Sequence, residues 1–256
     1  MKEPIVVMDS VSKNFGGVKA AQNFSLSLPE GTIQGIIGPN GAGKTTIFNL
    51  LSRVYPIDSG SITFMGRNVT NSTQVEISRM GISRTFQNTR LFTGLSVLDN
   101  VKVGIDYAGK YSIFEAIFLT PRRWREERRI AKEAKACLEA LDLLQYAQNR
   151  PNNLPYGVQR RVEIARAIVG RPKVLLLDEP AAGLNPTEVE ELIAFIKTIK
   201  SAFNLTIVVI EHRMDLIMSL CDFIHVQNFG QTIAAGTPEE IQKNPDVLAA
   251  YLGEEG

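Results

Sequence analysis

The stretch Gly38-Pro39-Asn40-Gly41-Ala42-Gly43-Lys44-Thr45 constrains this chain more than any other. It matches G-x-x-x-x-G-K-[ST] in full, follows the apolar run Ile33–Ile37 and opens Lys44–Ser52, which reads as a helix. Glycines at these positions let backbone N–H groups wrap the β- and γ-phosphates of a nucleotide. The helix N-terminus adds its positive end, Lys44 bridges phosphate oxygens, and Thr45 offers its hydroxyl to Mg²⁺. Thr46, next in the first helical turn, joins the same set of candidate ATP contacts. A chance glycine turn would explain the glycines but not the lysine and threonine that follow them.

A second element suits the first. Val174-Leu175-Leu176-Leu177 is an apolar run of buried-strand length that ends in Asp178 and Glu179. Asp178 at the strand end is placed to hold Mg²⁺ through water, and Glu179 to polarise the attacking water as general base. Paired acids after a strand are common at surfaces, so the signal gains its force from the phosphate loop.

Further runs at Ile5–Met8, Phe24–Leu28, Ile62–Met65 and Thr206–Ile210 read as strands, with Thr187–Ser201 as a crossover helix. Strand, helix and strand with fully apolar strands imply a parallel sheet covered by helices. From about Thr89 to Leu154 the character turns helical. Ile130, Ala134, Cys137, Leu138 and Leu141 recur every three or four residues, which predicts one apolar stripe on a helix from about Arg125 to Leu144. The predicted organisation is a single domain over 1–256, with an α/β core in 1–88 and 160–256 and a helical subdomain in about 89–159.

Charge and apolarity exclude other classes. Lys and Arg total 28 against 27 Asp and Glu, which argues against wholesale nucleic-acid binding. No run approaches the ~20 apolar residues of a membrane-crossing helix, and the start MKEPIVVMDS lacks a signal peptide's apolar core. Any membrane role therefore comes through a partner. Cys137 and Cys221 form no metal-binding spacing and fit a reduced, cytosolic setting. The basic stretch Pro121–Arg129 reads as a solvated helix start, with contact to acidic lipid headgroups or a membrane partner as the alternative.

Four further elements, in order, resemble the ATP-binding subunits of ABC transporters over Ile5 to Gly253. Phe15 stands where that family places an aromatic against adenine, although alone it would read as core filling. Gln87, in Arg84-Thr85-Phe86-Gln87, matches the loop glutamine that links Mg²⁺ and γ-phosphate to the membrane partner. Leu154-Pro155-Tyr156-Gly157-Val158-Gln159 opens the stretch similar to the signature helix. Ala182-Gly183-Leu184-Asn185 resembles the dimer-contact loop, and His212 the switch histidine; His225 is read as structural.

The resemblance implies a P-loop NTPase core with a parallel sheet, an N-terminal antiparallel β part and an inserted helical subdomain. It implies ATP and Mg²⁺ as cofactors, and catalysis by Lys44, Gln87, Glu179 and His212. Leu154, Pro155, Tyr156 and Gly157 are expected to meet the ATP held by a second, homologous ATPase subunit. Two permease subunits, and indirectly an extracytoplasmic substrate-binding protein, complete the assembly at the cytoplasmic face of a bacterial inner membrane, with no nucleic-acid partner.

The 84–92 segment, the extension around Thr120–Arg129, Ala181–Pro186 and the ending Asn244–Gly253 are similar to the longer ATPase subunit of branched-chain amino acid importers. The alternatives are a lipopolysaccharide-type exporter ATPase and a soluble, non-transport ABC ATPase. Two departures stand out. Pro155, Tyr156 and Val158 replace serine, glycine and glutamine of the usual Leu-Ser-Gly-Gly-Gln, and Asn185 stands where aspartate is usual.

Overall fold

The structure of the chain, a computed structural model, describes residues 3–85, 91–105 and 121–252. Gln87, Thr120 and Gly253 lie outside the described residues. Two compact units form, Met1–Gln87 with Lys173–Gly256, and Asn88–Pro172.

The first unit is built on strand β3 (Ile33–Ile37), buried at all five positions. It lies mid-sheet between β8 (Thr206–Ile210) and β9 (Phe223–Asn228), parallel to both. Strands β7 (Val174–Asp178) and β6 (Ile82–Arg84) continue the parallel run, and β10 (Gln231–Gly236) adds an antiparallel edge. Because β3, β7 and β8 are buried throughout, they carry near-continuous apolar sequence rather than alternation. The N-terminal part is a separate antiparallel sheet of β1 (Pro4–Phe15), β2 (Val18–Pro29), β4 (Ser59–Phe64) and β5 (Arg67–Asn68). Alternate residues of β1 and β2 pack with helix α1 (Lys44–Leu51) and with Ile36, Leu176 and Val208 into one apolar cluster. Helix α2 (Gln74–Met80) precedes β6 and carries a capping box between Thr73 and Glu76.

The second unit holds helices α3 (Val97–Val103), α4 (Pro121–Ala140) and α5 (Tyr156–Ile168). All five residues of the predicted stripe, Ile130 to Leu141, are buried. The helix stops at Ala140, not Leu144. Asp142 turns left-handed (φ 55°), and the Leu143 N–H returns to Leu138 O at 2.8 Å, a Schellman ending that periodicity does not reveal. This unit extends to Pro172 rather than 159, because α5 is one continuous helix across the expected boundary.

Cys137 and Cys221 are both buried as free thiols, and burial pushes the Cys137 thiol up to about 12. Among the described residues, no helix is long and apolar enough to cross a membrane.

Candidate nucleotide site

Strand β3 delivers the glycine loop to the N-terminus of α1. Gly38 has φ 146°, and a Cβ there would lie 2.0 Å from Gln227 O; at Gly43 (φ 97°) a Cβ would lie 2.2 Å from Ala20 O. Only glycine fits a backbone this close to its neighbours. The loop is fastened from the β9–β10 turn, where the Gly230 N–H donates to Ala42 O at 3.0 Å. Helix α1 has no side-chain cap and no acid in its first turn, so its leading N–H groups and dipole are directed at whatever lies before it. Lys44 is buried, its ammonium donating to Gly38 O at 2.6 Å and Pro39 O at 2.7 Å.

A cavity of about 520 Å³ opens over this loop. Asn40 to Thr46, Glu179, Val18 and Phe229 are among the residues that line it. Glu179 is held at φ 45°, a left-handed conformation that is uncommon for any residue but glycine. Its N–H donates to Ile210 O at 2.9 Å and its carbonyl accepts from the Ala182 N–H at 3.2 Å. These bonds over-determine the conformation that places Glu179 on the cavity wall.

Asp178 ends β7 at 2% exposure. Its Oδ2 accepts from Arg84 Nη2 at 2.7 Å, and its Oδ1 has no hydrogen-bond partner. Arg84 also donates through Nη1 to Asn49 Oδ1 at 2.7 Å and to Ser52 Oγ at 3.3 Å, and lies over the Phe48 ring. A buried carboxylate oxygen left open calls for a cation or a cation-bound water. The residues present therefore fit Mg²⁺, which takes one or two carboxylates and completes its shell with phosphates and water.

Glu211, which the motifs did not single out, follows β8 fully buried. Its carboxylate accepts the Ala181 N–H at 2.7 Å, the His212 N–H at 3.1 Å and the Arg213 N–H at 3.4 Å. Burial raises its pKa, while the three N–H donors pull it down. One carboxylate thus ties the segment after Glu179 to the segment carrying His212. The sequence signal was there, an acid directly after five strand residues, much as Asp178 follows Val174–Leu177.

Other predicted residues stand apart from the cavity. His212 is 57% exposed and is not on its wall. Phe15, at the end of β1, packs edge-on to Tyr55 with ring centres 5.2 Å apart and has the Lys13 ammonium over its face. Val18 and Lys19, across the β1–β2 turn, line the cavity where Phe15 does not. Asn185 is engaged locally, its side chain capping helix α6 (Pro186–Phe203) by accepting from the Glu188 N–H at 3.0 Å.

In the second unit, Pro155 is the N-cap of α5, one residue ahead of the expected first turn, with φ −53° and ψ 148°. It offers no side-chain cap. Gln159 Nε2 donates instead to Leu154 O at 3.0 Å, while Tyr156 stands 38% exposed at the helix start. Further along the same helix, Arg160 Nη1 and Glu163 Oε2 form a buried i,i+3 ion pair at 2.7 Å.

A parallel sheet feeding a glycine loop into a helix, with a buried aspartate and then a glutamate ending a neighbouring strand, defines a P-loop ATPase. Residues 21–182 match the family described as ABC transporter, and residues 231–256 match the one described as branched-chain amino acid ATP-binding cassette transporter. The chain belongs to the ABC transporter family, as an ATP-binding and ATP-hydrolysing subunit. It is 44% identical over 254 residues to the high-affinity branched-chain amino acid transport ATP-binding protein LivG of Salmonella typhimurium, covering 99% of this chain and 100% of that one. BraF of Pseudomonas aeruginosa, described in the same words, is 42% identical over equal coverage. Among solved structures, the ADP conformation of MJ1267, an ATP-binding cassette of an ABC transporter, matches with a TM-score of 0.84 and 30% identity over 98% of this chain and 100% of that one.

Proposed function

We propose that this chain powers the import of branched-chain amino acids by binding and hydrolysing Mg-ATP. The observation that carries the substrate class is the full-length likeness to high-affinity branched-chain amino acid transport ATP-binding proteins. In this reading the chain pairs head to tail with a second ATPase subunit on two permeases fed by an extracytoplasmic binding protein. Its place is the cytoplasmic face of the inner membrane. Gln87, outside the described residues, is assigned to the permease contact.

The geometry of the glycine loop and the acidic strand supports the roles proposed for Lys44, Asp178 and Glu179, and the family resemblance those proposed for Phe15, His212 and Leu154 to Gly157. The α1 N-terminus, the loop N–H groups and Lys44 receive the β- and γ-phosphates, with the Lys44 ammonium exchanging Gly38 O and Pro39 O for phosphate oxygens. Asp178 through Oδ1 and Thr45 through its hydroxyl would hold Mg²⁺, which when bound supplies neutralisation of phosphate charge. Glu179 accepts a proton from the water that attacks the γ-phosphorus in line, and the leaving oxygen departs with ADP. His212 and Glu211 connect that chemistry to the assembly, the carboxylate holding the His212 segment and the segment after Glu179 together. Phe15 is assigned to the adenine, and Leu154 to Gly157 to the partner's ATP.

The test is uptake by the complete complex in proteoliposomes, with ATP inside and the binding protein outside. Leucine, isoleucine and valine should accumulate and stimulate ATP hydrolysis, and lysine and aspartate should not. ATP-driven uptake of other solutes to the exclusion of these three would refute the substrate assignment.

A further inference from the structure

We propose that the outward face of helix α4 docks on an anionic phospholipid surface, a contact separate from any made through permeases. Arg125, Arg128, Lys132 and Lys135 are all exposed and recur at intervals of three, four and three residues. At 3.6 residues per turn they fall within an arc of roughly 80°, opposite the buried Ile130, Ala134 and Leu138, and run roughly 15 Å along the axis. The stripe is therefore the outermost surface of the helix.

Its charge is not neutralised along its length. Among the described residues none of the four cations forms an ion pair, whereas Glu126 and Glu133 are both bound by Arg129 on the flank. Glu127 lies roughly 100° round the axis from Arg128, and Glu139 meets the stripe only at its C-terminal end. With Glu126 and Glu133 on the flank and Glu139 on the crest only beyond Lys135, the stretch from Arg125 to Lys135 is a local positive face on a chain whose net charge is only +1.

Trp124 supplies an amphipathic anchor that suits a lipid surface. It is 57% exposed at the head of the stripe, with the Arg128 guanidinium 5.1 Å from its ring centre. An indole beside cations, apolar in body and polar at its N–H, suits the headgroup layer, where anionic phosphates meet acyl chains. Headgroups are also laterally mobile, so a row of cations on one helix needs no matching register in its partner.

The experiment is sedimentation of the purified full chain with vesicles of phosphatidylcholine alone or with roughly a third phosphatidylglycerol, at low and high salt. Binding should require the anionic lipid and weaken as salt shortens the screening length. Each cation near such a surface changes partitioning by roughly fivefold. The variant Arg125→Gln/Arg128→Gln/Lys132→Gln/Lys135→Gln should therefore bind roughly a hundredfold or more weakly, while still binding ATP as a check on folding. Trp124→Ala should lose a smaller factor and keep the salt dependence. A control that removes four exposed cations elsewhere, Arg67→Gln/Arg150→Gln/Lys197→Gln/Lys243→Gln, should bind as the parent does. Failure of the parent to bind anionic vesicles, equal binding to neutral ones, or an equal loss in the control overturns the proposal, and an acidic protein face then becomes the occupant to examine. None of these outcomes bears on the transported substrate.

Discussion

The Arg84 guanidinium meets Asp178 Oδ2 at 2.7 Å, a contact between side chains 10% and 2% exposed. It occupies one carboxylate oxygen and leaves Oδ1 open beside the phosphate loop's acidic strand. Arg84 reaches Asn49 and Ser52 with its other terminal nitrogen, so the same residue joins α1 to β7.

Removing Arg84 should therefore cost both stability and metal affinity. Breaking a buried ion pair from one side typically destabilises by about 3–5 kcal/mol. Arg84→Ala is expected in that range by urea unfolding, with a rise in the Mg²⁺ concentration that half-saturates ATP hydrolysis. Arg84→Lys should recover part of the stability but not the two-nitrogen geometry. Unchanged stability in Arg84→Ala would remove the structural role assigned to it.

Lys44→Ala should abolish ATP binding, because it deletes the ammonium expected to bridge the phosphates. Glu179→Gln should bind ATP, accumulate the ATP-bound dimer and hydrolyse roughly 10²–10⁴-fold more slowly, the usual contribution of a positioned base. Equilibrium binding of a fluorescent ATP analogue and steady-state phosphate release separate the two. Hydrolysis at the parental rate by Glu179→Gln would rule out the general-base assignment.

Pro155 offers neither a hydroxyl nor an N–H at the head of α5, where the family's signature has serine. In a mixed dimer, the ATP site completed by this helix is expected to be the weaker. One donor to a charged acceptor is worth roughly 1.5–3 kcal/mol, or roughly ten- to a hundredfold in rate if the bond tightens in the transition state. Pro155→Ser should raise ATPase activity of the assembled complex, and the gain should vanish when the partner's phosphate-loop lysine is mutated. A gain indifferent to that lysine, or none, decides against it.

His225 gives the chain an acid limit. It is buried between Phe24 and Phe223, its Nε2 lies 3.2 Å from Gln34 Oε1, and burial pushes its pKa down to about 4. The unfolded chain binds the proton near pH 6.5 and the folded chain does not until about 4. Stability from this group is thus complete above pH 6.5 and is lost as pH falls from there through 4. The slope between those limits is up to roughly 1.4 kcal/mol per pH unit. Urea unfolding at roughly neutral pH and again about two units lower should show that loss in the parent and a smaller one in His225→Asn. Equal pH dependence in both would assign the loss elsewhere.

The sequence alone determined the phosphate loop, the acidic strand and the apolar stripe of α4, because these are local. A glycine that admits a left-handed backbone, a run of aliphatic residues, and a three-to-four periodicity each act within one element. Glu179 and Lys44 line one cavity because Glu179 directly follows β7, while Lys44 opens the helix reached through the glycine loop after β3, and both strands belong to the same parallel run of one sheet. What tertiary structure decided was the company each residue keeps. Arg84 and Asp178 are 94 positions apart and meet only because β6 pairs with β7. Glu211 becomes a tie between two loops only when β8 lies beside β7 and brings Ala181 within 2.7 Å. Such partners are fixed by chain closure over long separations, where pairing energy exists only after the sheet has formed.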